Sequence, residues 1–176
     1  MVIKLGEYYL TIMRSDKYQK IRRERKVMAD VSVAAANSLL ELSFADDKYI
    51  SPLKLQKLLY FVHKEYLKRT NGEALITERF DAWDYGPVLP TVYRAFKTFG
   101  SSSITKLMAE DGEVYVISEK NRDFEAALED VWKRYSDLTA QTLVDMTHMS
   151  GGAWEKARRD KVSLSNDDIF REDDWD

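Results

Sequence analysis

Histidine is the first residue type to consider for catalysis, because a neutral imidazole can act as a general base or as a metal ligand. The segment His63-Lys64-Glu65 matches the H-x-E fragment of zinc deaminases, which also need a Cys-x-x-Cys pair to hold the metal. The chain contains no cysteine. On a helix, side chains two positions apart point about 200° away from each other, so His63 and Glu65 cannot share a site. The match therefore predicts no zinc chemistry.

Other motifs of catalysis and cofactor binding are absent from the sequence as well. It has no Gly-rich phosphate loop, no dinucleotide-binding glycine motif, no G-x-S-x-G and no H-E-x-x-H. The acidic residues do not follow the spacing of a calcium-binding loop. Because the chain has 30 Asp and Glu residues, a pair of hydrolytic carboxylates stays open as an alternative. We predict that the chain is not an enzyme, with no catalytic residue, no metal site and no cofactor.

Several aromatic residues are better candidates for a function. Trp83 and Tyr85 lie in a segment without helical periodicity, beside Gly86-Pro87, and Trp154 follows a flexible Ser-Gly-Gly stretch. Such rings either fill the core or contact a partner protein, since Trp and Tyr bury a large area and keep a polar group. His148 has two interpretations too: it could bond the end of a preceding helix, or it could add a polar contact in a pocket shared with Trp154.

The elements that position these residues are predicted to be helices. Ser51-Pro52 provides an N-cap and a proline at the first helical position, so a helix is expected from Pro52 to about Arg69. It is apolar on two nearly opposite sides, which is typical of a helix at the centre of a core or of one held by a partner. A second helix carries an unbroken apolar stripe in which we expect Trp132 to be a core residue: Phe124, Ala127, Leu128, Val131, Trp132 and Tyr135. Further helices are expected after Asp30 (with Val31, Ala35, Leu39 and Leu42 on one face), from Pro90 to Gly100, and over 139–147, 152–159 and 167–171.

Two regions are predicted to form β-structure or extended chain. Asp111-Gly112 separates two short apolar runs, and this pair supplies the positive φ angles that a tight turn needs. Residues 75–87 lack helical periodicity and should run in extended form over the core. The predicted fold class is mainly α: a compact helical domain with a central helix near 52–69 and a small β-hairpin near 105–117.

The charge is distributed unevenly. The net charge is −3, but residues 1–27 carry eight basic and three acidic groups, which leaves −8 on the rest of the chain. We divide the chain into a basic N-terminal extension (1–27), a helical domain (28–170) and an acidic tail (171–176) that we expect to be loose. The extension is either a solvated leader or a nucleic-acid contact, because a basic segment set apart from an acidic body can bind nucleic acid. The candidate contacts are Arg22, Arg23, Arg25 and Lys26.

Composition also bears on location. No run approaches the roughly 18 apolar residues that span a bilayer, so we expect no membrane contact. The first ten residues lack the basic and apolar regions of a signal peptide. The absence of cysteine suits a reducing compartment, and we predict a cytoplasmic protein.

Three blocks of the sequence resemble a known family. The first is Ser51-Pro52-Leu53-Lys54-Leu55-Gln56-Lys57-Leu58-Leu59-Tyr60. The second is Phe80-Asp81-Ala82-Trp83-Asp84-Tyr85-Gly86-Pro87-Val88, continued by Pro90, Val92, Tyr93 and Phe96. The third comprises Leu143, Thr147-His148, Trp154 and Ala157. In this order, over about residues 28–170, they resemble the SocA-like antitoxins, also called the Panacea antitoxin domain.

The resemblance implies a role in bacterial or prophage-associated toxin–antitoxin pairs. Such domains neutralise a cognate toxin by direct binding, and the founding type also delivers its toxin to an ATP-dependent protease. A proteolytic adaptor is therefore one alternative function, and a DNA-binding regulator that uses the basic extension for a weak DNA contact is another. The resemblance brings no catalytic residues. The motif positions that we predict to bind the partner are Trp83, Tyr85, Gly86, Pro87, Val88, Tyr93, His148 and Trp154.

Overall fold

The computed structural model describes residues 2–4 and 30–173. Seven α-helices are found in this part of the chain, and the predicted mainly α fold class is confirmed. In chain order they are α1 (Val31–Ala45), α2 (Pro52–Arg69), α3 (Pro90–Phe96), α4 (Arg122–Tyr135), α5 (Ala140–Thr147), α6 (Ala153–Asp160) and α7 (Asn166–Arg171), with a 3-10 turn at Lys97–Phe99 after α3.

The helices begin where the sequence provides caps. The Asp30 carboxylate accepts hydrogen bonds from the first turn of α1, Ser51 caps α2 directly before Pro52, and the Asn121 side chain caps α4. Each cap satisfies backbone N–H groups that have no partner inside the helix. The predicted helix at 52–69 and the striped helix that contains Trp132 are therefore confirmed, with α4 ending at Tyr135.

Helix α2 lies at the centre of the fold. It contacts α1, α3, α4, α5, α7 and the β-strand at residues 86–88. Leu55, Leu58 and Leu59 are fully buried on one side, and Tyr60 and Leu67 are fully buried on the other. Burial of each large apolar side chain stabilises the fold by about 2 kcal/mol. The two apolar sides of this helix therefore reflect its central position, as the sequence predicted.

Helix α1 is buried more completely than the sequence predicted. Val31 and Leu42, placed on its single apolar face, are only partly buried, whereas Ala34 and Leu40 on other sides are 0% exposed. The reason is that α1 lies between α2 and a small sheet, so both of its faces are covered. The buried Asn37 side chain within α1 forms hydrogen bonds with backbone groups of Met108, directly before the sheet, and of Tyr115 within it.

The predicted hairpin near 105–117 is present. Strands β4 (Ala109–Glu110) and β5 (Glu113–Ile117) are antiparallel, joined at Asp111 (φ 51°) and Gly112 (φ 78°). A further strand, β1 (Val2–Lys4), pairs with the other edge of β5 to give the order β1-β5-β4. Strand β1 was not predicted from the sequence, and it belongs to the basic N-terminal extension.

The extended segment at 75–87 contains a second hairpin. Strand β2 (Asp81–Trp83) pairs with β3 (Gly86–Val88) through the two-residue connection Asp84-Tyr85. β3 packs on α2 and α5, and β2 packs beside α6. The expectation of extended chain over the core is correct, and the hairpin gives it a defined register.

In the acidic segment that follows α7, the side chain of Glu172 is fixed by contacts inside the fold. Glu172 follows α7, and its side chain is only 6% exposed because it lies against α2 and α6. The expectation of a loose end is therefore wrong for Glu172: the carboxylate finds hydrogen-bond donors inside the fold. Among the helices of residues 30–173, none is both long and apolar enough to cross a bilayer.

Candidate partner-binding site

Three large aromatic side chains are exposed together at one corner of the molecule. Trp83 on β2 is 38% exposed, Tyr85 in the hairpin connection 66%, and Tyr93 on α3 41%. The rings of Trp83 and Tyr93 meet edge to face with centroids 4.8 Å apart. We call these three residues the aromatic surface. Exposed rings of this size, grouped together, are typical of contact sites for other proteins.

A groove runs along the aromatic surface. Its volume is about 460 Å³, enough for a few large side chains of a binding partner. The walls are the first turn of α2, helix α3 and the hairpin β2–β3, and most of the lining is apolar. The apolar lining residues include Pro52, Leu53, Val88, Val92 and Phe96, together with the three rings of the aromatic surface.

Gly86 fixes how closely the hairpin approaches the core. Its φ of +91° lies in the left-handed region, and a Cβ there would lie 2.5 Å from Thr147 Oγ1 and 2.9 Å from Lys57 Nζ. Both distances are shorter than any normal contact. Only glycine fits, because the backbone of β3 rests directly on α2 and α5.

Side chains of the first sequence block, on α2, form hydrogen bonds with backbone groups of the second block. Lys57 is completely buried, and its Nζ donates a 2.6 Å hydrogen bond to the carbonyl of Pro87. Burial lowers the pKa of Lys57 to about 7. Beside it, the Gln56 side chain accepts from the Leu89 N–H at 2.9 Å and donates to the Leu89 carbonyl at 3.3 Å. Two polar side chains of α2 therefore fix the strand that follows the aromatic connection.

Helix α6, which contains Trp154 of the third block, forms hydrogen bonds with the hairpin β2–β3. Trp154 Nε1 on α6 donates to the Trp83 carbonyl at 2.9 Å. One turn later, Arg158 donates to the Ala82 carbonyl at 3.1 Å and forms an ion pair with Asp84. Helix α6 thus contacts both the strand and the connection that carry the aromatic surface.

His148 packs against Trp154, the residue that bonds the hairpin. Its ring stacks on Trp154 with centroids 3.7 Å apart and an angle of 16°. Burial lowers the pKa of His148, and repulsion from the protonated form of nearby Lys57 lowers it further. Neither His148 nor Trp154 lines the groove. The structure places the two rings together, and it also places His148 at the C-cap of α5, where its backbone N–H donates to the Asp145 carbonyl. Features of both sequence interpretations are therefore found, and a contact of His148 with a partner stays a prediction.

The eight predicted contact residues therefore occupy three kinds of position. Trp83, Tyr85 and Tyr93 are exposed, whereas Gly86, Pro87 and Val88 are buried beneath them. His148 and Trp154 are half-buried and brace the hairpin. The basic candidates Arg22, Arg23, Arg25 and Lys26 lie outside the described residues, so their role stays a prediction.

Four residues that hold the hairpin were not predicted to have a role at this site: Gln56, Lys57, Asp84 and Arg158. For Gln56 and Lys57 the sequence did contain a signal. On a helix that is apolar on two sides, few positions face the solvent, so polar residues on it can be expected to be buried. Arg158 and Asp84 meet only through the tertiary fold, so no spacing in the sequence could have paired them.

The residues that were considered for catalysis make contacts within the fold. The His63 Nε2 is 2.9 Å from Asn166 Oδ1, whereas Glu65 forms ion pairs with Arg69 and Arg134. Within residues 2–4 and 30–173, no three metal-binding side chains are grouped to hold an ion. Trp132 is 5% exposed and donates to the Asp46 carboxylate at 2.7 Å, which confirms it as a core residue.

Comparison with known proteins agrees with the three blocks. The family model described as "Antitoxin SocA-like, Panacea domain" matches residues 55–155. Antitoxin SocA of Caulobacter vibrioides (strain NA1000 / CB15N) is 37% identical over 127 residues, which cover 69% of this chain and 67% of that protein. No solved structure matches. The chain belongs to the SocA-like antitoxin family, defined by the Panacea domain.

Proposed function

We propose that this chain is an antitoxin that neutralises a cognate toxin by binding it directly through the aromatic surface and its groove. The observation that carries the proposal is the exposure of Trp83, Tyr85 and Tyr93 at one corner. Family membership supports the antitoxin role. It also favours a regulatory protein over an enzyme.

The support beneath the aromatic surface suits a binding site. A surface that is already fixed loses little conformational freedom when a partner binds, so more of the contact energy contributes to affinity. Lys57, Gln56 and Trp154 provide this fixation through hydrogen bonds to backbone atoms of residues 83–89. Large aromatic side chains next to an apolar groove are the residues that most often dominate a protein interface.

The experiment is a growth test with matched variants. The product of the gene next to this chain's gene is first expressed alone to show toxicity, and the chain is then co-expressed with it. Trp83→Ala and Tyr85→Ala should abolish rescue. Tyr49→Ala is the control, because Tyr49 is 50% exposed but its ring packs on Phe44, outside the groove. Full rescue by the two groove variants would contradict the proposal.

Two other roles follow from the sequence and need separate tests. A proteolytic adaptor would shorten the half-life of the toxin in cells, whereas simple occlusion would leave that half-life unchanged. A DNA-binding role rests on the local charge of residues 1–27. If it exists, replacing Arg22, Arg23, Arg25 and Lys26 with Gln should abolish a mobility shift of the promoter fragment and leave toxin rescue intact.

A further inference from the structure

The carboxylate of Glu172 lies inside the molecule among hydrogen-bond donors from two helices. The Tyr60 hydroxyl on α2 donates to Glu172 Oε2 at 2.9 Å, and Lys64 Nζ on the same helix lies 3.4 Å from that oxygen. The backbone N–H of Ala153, the first residue of α6, donates to Oε1 at 3.0 Å. The side chains of Glu172 and Lys64 are 6% and 5% exposed. A charge pair this deeply buried, once broken, leaves an uncompensated charge.

Glu172 performs for α6 the task that a capping residue normally performs. Gly152 precedes α6 and has no side chain to cap it, so the first N–H groups of this helix need another acceptor. The Glu172 carboxylate supplies one and places its negative charge at the positive end of the helix dipole. A Cβ at position 152 would lie 2.7 Å from Glu172 Oε1, so glycine leaves the room that the carboxylate occupies.

Helix α6 connects this contact to the aromatic surface. Trp154 directly follows Ala153 in the chain and donates to the Trp83 carbonyl, and Arg158 one turn later bonds Ala82 and Asp84. A shift of the first turn of α6 would therefore move Trp154 away from the backbone of the residue whose ring is exposed.

We propose that Glu172 is a positioning residue for the partner-binding site: its carboxylate fixes the start of α6, and α6 fixes the hairpin that carries the aromatic surface. This inference rests on the proposed function of that surface. It makes the end of the chain, which the sequence suggested was a loose tail, necessary for full affinity.

The main test compares Glu172→Gln with Asp167→Asn. Gln keeps the shape and a hydrogen-bond acceptor but removes the charge that pairs with Lys64. In the free protein, amide hydrogen exchange over residues 81–88 and the first turn of α6 should become faster, and toxin should bind about tenfold more weakly. Asp167 is a matched control on α7, since its carboxylate is 66% exposed and pairs only with Arg171 in the same helix. Asp167→Asn should change neither readout.

A second variant, Tyr60→Phe, tests the same contact with a smaller change, in case Glu172→Gln impairs folding. Tyr60→Phe removes one hydroxyl that donates to Glu172 and keeps the ring that packs in the core. Its effects on exchange and affinity should have the same direction as those of Glu172→Gln and be smaller. Combined in one chain, the two substitutions should have less than the sum of their separate effects, because both act on one hydrogen-bonded group.

The outcomes separate this inference from the proposed function. Unchanged exchange over residues 81–88 in Glu172→Gln, or a loss of affinity no greater than that of Asp167→Asn, would overturn the inference. The exchange experiment needs no toxin. If Trp83→Ala binds toxin normally while Glu172→Gln still loosens the hairpin, the proposed function fails and the coupling between Glu172 and the hairpin stands.

Discussion

The two hairpins described in this chain differ in what they bury and what they expose. The hairpin β4–β5 turns through exposed Asp111 and Gly112 and buries apolar Val116 and Ile117. The hairpin β2–β3 exposes Trp83 and Tyr85 and rests on polar side chains of α2, among them the completely buried Lys57. A buried lysine loses its hydration, which costs free energy, and exposed rings leave apolar area in contact with water. The second hairpin therefore has features that packing alone does not explain and that fit the proposed binding role.

Lys57 gives the largest effect in this comparison. Its pKa is about 7 in the folded protein and 10.5 as the ordinary value, so between these pH values the unfolded chain holds a proton that the folded protein has lost. The stability of the protein should therefore rise as pH increases from 7 to 10.5, by up to about 5 kcal/mol from this group. Urea unfolding of wild type and Lys57→Met measures the difference. The variant should lack this rise.

The control for Lys57 is an exposed lysine. Lys133→Met on α4 removes the same charge from a surface position, so its pH dependence should follow that of wild type. If Lys57→Met also follows wild type across this range, Lys57 is not held neutral beneath Pro87, and the account of a buried polar support is wrong.

The turn glycines provide the next largest difference. Gly86→Ala combines a strained positive φ with a Cβ 2.5 Å from Thr147 Oγ1, and it should destabilise the protein by about 4 kcal/mol. In the other hairpin, Gly112→Ala also has a positive φ, but no atom lies within 4 Å of its new Cβ, so the loss should be about 1 kcal/mol. Urea midpoints of the two variants check this. Equal losses would show that β3 does not rest closely on the helices.

Two buried amides hold the two hairpins and allow a smaller, matched comparison. Asn37 makes three hydrogen bonds to the backbone of Met108 and Tyr115, and Gln56 makes two to Leu89. At about 1 kcal/mol for each bond, Asn37→Ala should destabilise by about 3 kcal/mol and Gln56→Ala by about 2 kcal/mol. Only Gln56→Ala should also weaken toxin binding, measured on the folded protein. Equal affinities of both variants would remove the functional distinction between the hairpins.

Much of the fold was predictable because its determinants are local. The stripe and cap of α4, the Ser51-Pro52 start of α2 and the Asp-Gly turn of β4–β5 lie within a few residues of the elements that they define. The pairing of β1 with β5 was not predictable, because strand partners distant in sequence leave no periodic signal.

The site was predictable only in part, for the same reason. The aromatic residues and Gly86-Pro87 stand out in the sequence, and the structure brings them together. Lys57 and Glu172 are charged, and charged residues are mostly exposed, so residue type argued against their burial. Each is buried because its partner comes from a distant segment: the Pro87 carbonyl for Lys57, and the Ala153 N–H for Glu172.

The most direct test of the central claim is the affinity of the purified toxin for single variants of the aromatic surface, measured by titration calorimetry. Trp83→Ala should bind at least about 30-fold more weakly than wild type, as expected for a ring that dominates an interface. Tyr49→Ala, a variant of another exposed aromatic residue that lies outside the groove, should bind like wild type. Wild-type affinity for Trp83→Ala, Tyr85→Ala and Tyr93→Ala alike would contradict the assignment of this corner as the toxin-binding site.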